Sequence, residues 1–283
     1  MSNKDEFYIG WEEEAPPGYQ RFSIVFLSVL AVTTVFIMTL WLLKSDGFAD
    51  SRYEYGKESV YKGVIYEYPA PMLVVFNPED TLSVPLVNFG KFGVTEPMKY
   101  FKSQMRNNLL DYEVELRGTI IEFDGKKWLE LTDEERSLLS FKKLESPSPP
   151  LNIKNTGRKE ITGEIVDPKC FFGAMKPGFG KVHLSCAVRC ISGGIPPILV
   201  SQNENGLLSY YFLTGEGGRM INDEILSFVG IPVGISGNTK MVIDWNVLEI
   251  KPEDVSIASN YTGTSLFKAC QTESIKPSLA VLE

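Results

Sequence analysis

The sequence predicts a mainly β protein, with one N-terminal transmembrane helix followed by two small β-barrel domains. Three observations predict this class: a long uncharged apolar run near the start, a repeated pattern of strand-like segments, and a Pro- and Asn-rich stretch between the two copies. The 283 residues are enough for two small domains. The formal net charge of −8 argues against nucleic acid as a partner, because phosphate backbones select basic surfaces.

Residues 22–43 have the composition of a membrane-spanning helix. The segment contains no charged residue, lies between Arg21 and Lys44, and at about 1.5 Å per residue can cross the roughly 30 Å hydrocarbon layer. Residues 1–21 before it are acidic rather than basic, which is unlike a cleaved signal peptide. We therefore predict a single-pass anchor in a bacterial inner membrane. The soluble domains are predicted to be periplasmic, because a short tail followed by one anchor and a large domain commonly has that orientation, and cysteines paired in an oxidising space would agree with it.

The acidic tail at residues 1–21 also contains four aromatic side chains. Buried aromatic residues supply much of the binding energy at protein interfaces, so the tail is predicted to dock on a partner subunit beside the membrane. An unstructured acidic tail is the alternative. The four residues are Phe7, Tyr8, Trp11 and Tyr19.

Two pairs of similar segments indicate an internal repeat. YKGVIYE at 61–67 and ITGEIVD at 161–167 both have Gly third, Ile fifth and an acid seventh. VELRGTIIEFDGKKWLEL at 114–131 and VGISGNTKMVIDWNVLEI at 233–250 share V-x-[LI]-x-G and [WV]-L-E-[LI] at identical spacing. Alternating apolar and polar residues indicate strands, and the glycine within each strand provides the bend that a small closed barrel needs.

The order of elements in each copy is two or three strands, a short helix and a two-stranded hairpin. This order resembles the OB-fold, a five-stranded Greek-key barrel with a helix between its third and fourth strands. The resemblance implies a first barrel at 59–144 and a second at 158–251. The segment at 145–157 is predicted to be a linker, and residues 252–283 a C-terminal tail.

The second copy is longer than the first. Gly163 and Val233 are 70 positions apart, whereas Gly63 and Val114 are 51 apart. An insert at 168–197 accounts for the difference, and it holds three of the four cysteines and the single histidine. We expect the insert to be a functional addition to a barrel that does not need it for folding.

The insert contains a candidate metal site. Residues 181–191 are predicted to form a short helix on which His183, Cys186 and Cys190 share one face, at positions i, i+3 and i+7. Cys170 lies across a Gly/Pro loop that can fold back toward them. Three thiolates and one imidazole would suit a zinc or copper ion. Met175 is a further candidate ligand, and its thioether would favour copper.

Disulfides are the alternative use of the same cysteines. Cys170 could bridge to Cys186 or Cys190, and Cys270 to the cysteine that remains; free thiols are the third option. The Cys-x3-Cys spacing resembles that in the binuclear copper centre of terminal oxidases and in thioredoxin-like copper chaperones. Those families have a histidine after the pair, whereas His183 precedes it, so the resemblance assigns neither family.

Two segments resemble those of proteins that accompany bacterial membrane oxidoreductases: the DEFYIGW tail at 5–11 and DPKCFFGAMKPG at 167–178. The resemblance implies an accessory subunit of a membrane-bound, respiratory complex, docked on integral-membrane oxidoreductase subunits. No Gly-rich phosphate loop and no ordered nucleophile–base arrangement is recognisable, so we expect no catalytic activity. The alternative functions are a copper-handling or thiol-redox assembly factor, and an anchored oligosaccharide-binding module.

Overall fold

The structure of the protein, a computed structural model, describes residues 16–44, 51–76, 81–132 and 135–258. It confirms the predicted class: a mainly β chain with an N-terminal apolar helix and two closed five-stranded barrels. Among the described residues, the helical segment 16–44 and the β-rich body 51–258 belong to separate compact units.

Helix α1 spans Pro17–Lys44 and is 28 residues long, so it begins before the predicted segment 22–43. Pro17 occupies the first helical position, where its missing N–H costs no hydrogen bond. No residue of α1 is buried. Within the described residues it is the one helix long and apolar enough to cross a membrane.

The first barrel closes in the strand order of the OB-fold. Strands run β2-β3-β4-β6-β5 and back to β2, all antiparallel except β4 with β6, and α2 lies between β4 and β5. Two further strands, β1 and β7, extend β5. The elements are β1 Ser51–Tyr53, β2 Ser59–Tyr66, β3 Met72–Phe76, β4 Thr81–Val87, α2 Thr95–Gln104, β5 Tyr112–Phe123, β6 Lys126–Leu131 and β7 Leu138–Lys143.

The second barrel repeats this topology. Strands β8, β9, β10, β12 and β11 follow the same circuit, β10 and β12 are parallel, and a 3-10 turn at Asp223–Phe228 stands in the place of α2. The insert lies between β8 and β9. The elements are β8 Ile153–Val166, α3 Leu184–Ser192, β9 Ile198–Gln202, β10 Leu208–Thr214, β11 Pro232–Val242, β12 Trp245–Glu249 and β13 Val255–Ile257.

Two predicted boundaries differ from the structure. Strand β8 begins at Ile153, inside the predicted linker 145–157, because residues 153–157 pair with the far end of β11. These residues are polar because they are exposed, and the sequence pattern therefore resembled a linker. Within the predicted tail 252–283, β13 adds to β11, and residues beyond 258 lie outside the described part of the chain.

The repeated glycines occupy equivalent places where strands cross closely. A Cβ at Gly63 or Gly163 would overlap the carbonyl oxygen of the neighbouring strand, at Val74 and Val200 respectively. Gly118 and Gly237 meet β6 and β12 in the same way. The glycines are therefore required by the close approach of the strands as each barrel closes.

Substituting alanine for Gly163 is expected to lower the free energy of unfolding by about 1–3 kcal/mol, the usual cost of overpacking. The new methyl group would overlap the Val200 carbonyl oxygen and lie 2.8 Å from Leu199 Cδ1. Gly234→Ala is the matched control on β11, because its Cβ would meet nothing nearer than Ser256 Oγ at 3.6 Å. If denaturant unfolding gives the same loss of unfolding free energy for both variants, close strand approach is not the reason for glycine at position 163.

The two barrels pack through reciprocal contacts. Tyr210 of β10 donates a hydrogen bond to Asp124 on the hairpin turn of the first barrel, at 2.8 Å. Ser83 of β4 donates to Asp244 on the hairpin turn of the second barrel. Ser83 and Tyr210 are equivalent positions of the repeat. Each lies opposite a valine, Val74 or Val200, whose carbonyl oxygen meets the repeated glycine of its barrel. Such an exchange of equivalent contacts is typical of an approximately two-fold interface.

A shared aromatic core fills the junction between the barrels. Trp128 of the first barrel meets Phe172 of the insert, and Phe212 and Trp245 of the second barrel, with ring centroids 5.5–5.9 Å apart. Phe171 of the insert is buried in the same cluster. The insert is therefore part of the packing between the barrels, contrary to the expectation that it is dispensable for the fold.

Candidate metal centre

The first part of the insert is anchored in the opposite barrel. The Asp167 Oδ1 atom accepts the backbone N–H of Lys169 at 3.0 Å, and a single π-helical turn follows at Cys170–Ala174. Lys169 is buried; its ammonium group lies 3.1 Å from a Glu130 carboxylate oxygen and donates to the carbonyl oxygens of Asn88 and Gly90. These bonds fix the backbone directly before Cys170.

The helix of the insert, α3, is also held at its end. The buried Asn222 side chain donates to the carbonyl oxygens of Ile191 and Ile195, at 2.7 and 2.8 Å. Gly93 of the first barrel donates its N–H to the carbonyl oxygen of Gly193 at 2.9 Å, an approach that leaves no room for a side chain at either glycine. The helix begins at Leu184, so His183 occupies the N-cap position.

The structure brings all four predicted ligands into one region, but in two groups rather than one. The first group is Cys170, His183 and Cys186; the second is Cys170, Cys190 and Asp167. Within each group the candidate ligand atoms lie within 4.8 Å of one another. The Sγ atoms of Cys170 and Cys186 are 3.9 Å apart.

The division follows from the length of the helix. His183 and Cys190 share a face, but seven residues of helix correspond to about 10 Å along the axis. One ion cannot contact side chains that far apart, since ligand bonds to zinc are about 2.0–2.3 Å. Cys170 faces the middle of this stretch and so belongs to both groups.

Asp167 is the candidate ligand that sequence reasoning missed. It appeared there only as the seventh position of the repeat, where the first copy has Glu67. The available signal was its place directly before the Pro-Lys-Cys that opens the insert. The structure shows Glu67 exposed and paired with Lys102, whereas Asp167 is fully buried.

The remaining sequence predictions for this region have different outcomes. Met175 is 48% exposed. Cys170, Cys186 and Cys190 are free thiols, so the disulfides proposed among them are not formed in this structure. Cys270 lies outside the described residues, and its pairing stays a prediction.

Burial sets the electrostatics of the cluster. Cys170 and His183 are 5% and 3% exposed. The pKa of the Cys170 thiol is raised by its hydrogen bond with Cys190, by burial and by the Asp167 charge. Burial lowers the pKa of His183, which favours the neutral imidazole that binds metals. Near the surface, a hydrogen bond with Cys186 raises the pKa of Lys91.

Two buried atoms of the cluster have no hydrogen-bond partner within the described residues: His183 Nε2 and Asp167 Oδ2. Buried polar atoms are nearly always paired, so an ion or an ordered water is expected at each of these two. In a tetrahedral zinc site with Zn–S bonds of about 2.3 Å, two sulfurs lie about 3.8 Å apart. The observed separation of 3.9 Å between Cys170 and Cys186 fits that geometry.

Comparison with known proteins adds no assignment. The chain matches no protein-family model, no curated protein and no solved structure. The functional argument therefore rests on the sequence and on the geometry of this site.

Proposed function

We propose that the protein is a membrane-anchored, non-catalytic accessory subunit of a membrane-bound, respiratory oxidoreductase complex, with a resident metal ion in its insert. The observation that carries the proposal is the convergence of Cys170, His183 and Cys186 around an unpartnered, buried imidazole nitrogen. A zinc or copper ion would satisfy that nitrogen and neutralise the two thiolates.

Burial favours a resident ion over a transferred one. A copper-handling protein must present its ligands to a partner, but two of the three ligands of this site, Cys170 and His183, are at most 5% exposed, and Cys186 alone is partly exposed. The anchoring bonds of Lys169 and Asn222 hold both halves of the insert in place. Such a rigid, enclosed ligand set is typical of structural metal sites.

The contact between the barrels favours a subunit role over an oligosaccharide-binding one. OB-folds hold oligosaccharides or oligonucleotides on the face of their second and third strands. In the second barrel, Val200, Tyr210 and Phe212 of that face are buried in the shared core. In the first barrel, Ser83 is buried and bonded to Asp244. These parts of the two faces are occupied by contacts between the barrels.

The oxidoreductase partner and the membrane location are supported by other features. Helix α1 is exposed along its whole length and apolar enough for a bilayer. The resemblance of the tail and of residues 167–178 to proteins that accompany bacterial membrane oxidoreductases supports an inner-membrane complex, with the barrels in the periplasm.

A specific observation favours the thiol-redox alternative. Cys186 is partly exposed beside the Lys91 ammonium group, so a target protein can reach this thiol, as a redox thiol requires. The partner thiol in this reading is Cys170, whose sulfur lies 3.9 Å from that of Cys186. Oxidation of this pair would form one disulfide, release two protons and pass two electrons to a disulfide of the target protein.

The proposal is tested on the full-length protein, purified anaerobically from membranes in mild detergent. We expect bound zinc or copper, thiols that resist alkylation until a chelator is added, and co-purification of integral-membrane subunits in fixed ratio. A Cys186→Ser variant should lose metal, whereas Ser192→Ala, at the exposed end of the same helix, should not. A metal-free protein whose Cys186 reacts at once and forms a reversible disulfide would favour the redox function instead.

A further inference from the structure

We propose that the insert holds two divalent, thiophilic ions bridged by the Cys170 thiolate. One ion is bound by Cys170, His183 and Cys186, and the other by Asp167, Cys170 and Cys190. The inference rests on the proposed function and deepens it, because it specifies the number, class and ligands of the resident ions.

The first argument is geometric. The two groups of ligand atoms share Cys170 alone, and each is compact, with all members within 4.8 Å of one another. Cys186 and Cys190 lie one helical turn apart on α3, which is about 6 Å along the axis. A sulfur that faces the space between two successive turns can bind an ion at each turn. Cys170 has that position, because its sulfur lies 3.9 Å from that of Cys186 and within 4.8 Å of that of Cys190.

The second argument is that each group contains its own unpartnered buried atom. His183 Nε2 belongs to the first group and Asp167 Oδ2 to the second. The other carboxylate oxygen of Asp167 is already used by the Lys169 N–H, so Oδ2 is the one left for a ligand. A single ion in the first group would leave Asp167, which is 0% exposed, with an unsatisfied oxygen.

The third argument is charge balance. When all five donors bind, three thiolates and one carboxylate carry four negative charges, and the neutral imidazole carries none. With one divalent ion in the first group, Cys190 remains a neutral thiol, and the Asp167 carboxylate is left as one uncompensated negative charge in a buried site, at a large desolvation cost. Two divalent ions make the cluster neutral. Each of the three thiols gives one proton to solvent as it binds, and no electron is transferred.

The ligand types indicate zinc. Zn²⁺ accepts sulfur, nitrogen and carboxylate oxygen together, whereas Cu⁺ prefers sulfur and binds carboxylates poorly. Two Cu⁺ ions would also leave two negative charges uncompensated. The nearby cation Lys169 does not neutralise these two charges, because its ammonium group is already paired with Glu130 and with two carbonyl oxygens.

The test counts ions in the full-length protein after reduction, chelation and titration with Zn²⁺ alone. We expect two ions per chain, one in Asp167→Asn and one in His183→Gln. Glu67→Gln is the matched control: it alters the equivalent acid of the first repeat, which is exposed and paired with Lys102, and it should keep two ions. Cys190→Ser provides a second route to the one-ion state if Asp167→Asn does not fold, as judged by near-UV circular dichroism.

The outcomes separate this inference from the function on which it rests. A single ion in the wild-type protein, retained in Asp167→Asn, would overturn the bridged pair and leave the resident-metal function standing. No bound ion under reducing conditions would overturn both. Two ions that persist in Asp167→Asn and Cys190→Ser would show that the second ion binds elsewhere, which also contradicts the inference. Loss of both ions in Cys170→Ser, with the fold retained, would support the bridge.

Discussion

Replacing Lys169 by alanine is expected to lower the free energy of unfolding by about 3–5 kcal/mol, the range measured when one partner of a buried ion pair is removed. The side chains of Lys169 and Glu130 are 7% and 5% exposed. The substitution leaves the Glu130 carboxylate buried, with Tyr53 as its remaining hydrogen-bond donor, and also strips the Asn88 and Gly90 carbonyl oxygens of theirs. Denaturant unfolding of the full-length protein in detergent, followed by tryptophan fluorescence, measures the loss.

Two further variants test whether the loss of stability comes from the buried Lys169–Glu130 pair, and not merely from removing a lysine charge. Lys127→Ala breaks a surface pair with Glu122, 38% and 33% exposed, and should change stability by at most about 0.5 kcal/mol. Glu130→Gln should cost less than Lys169→Ala, because Lys169 keeps its two carbonyl partners. If Lys169→Ala were no worse than Lys127→Ala, the insert would not depend on this anchor. Metal affinity should fall in Lys169→Ala as well, since Lys169 lies between the ligands Asp167 and Cys170.

The fold was largely predictable because its determinants are local and repeated. A glycine within a strand and the alternation of apolar and polar residues are each visible in a short segment, and each occurs in both copies. The extension of β8 into the predicted linker was not visible, since residues 153–157 are exposed and carry no apolar alternation. Their pairing depends on β11, more than eighty residues away in the chain.

The candidate site was only partly predictable. Helical periodicity placed His183, Cys186 and Cys190 on one face of a helix. It gives the angle of each side chain around the axis, but not whether one ion can reach all three. Whether one ion can reach all three depends on distance along the axis, which separates His183 from Cys190. Asp167 was missed because its burial depends on how the insert, with Cys170 and Cys190, folds over it, which is a tertiary contact that no short segment reveals. The anchoring role of Lys169 was missed for the same reason.

The second large effect is expected from Trp128→Ala, which should cost about 3–5 kcal/mol, as for other large aromatic residues removed from a core. Trp128 is fully buried, and its three closest aromatic partners belong to the insert and to the second barrel. The cavity would therefore open at the junction rather than inside the first barrel. Phe141→Ala is the control, because that ring is 41% exposed on β7 and should change stability little.

Hydrogen exchange locates the damage and tests whether the barrels act as one body. If the junction couples them, Trp128→Ala should reduce protection in β10 and β12 as much as in β6, since Phe212 and Trp245 lose their partner together with Phe172. Loss confined to the first barrel would mean that the two modules fold independently and are only tethered. The first outcome connects the fold to the site: Phe172 lies two residues from Cys170, so a loosened junction would also misplace the thiolate on which both proposed ions depend.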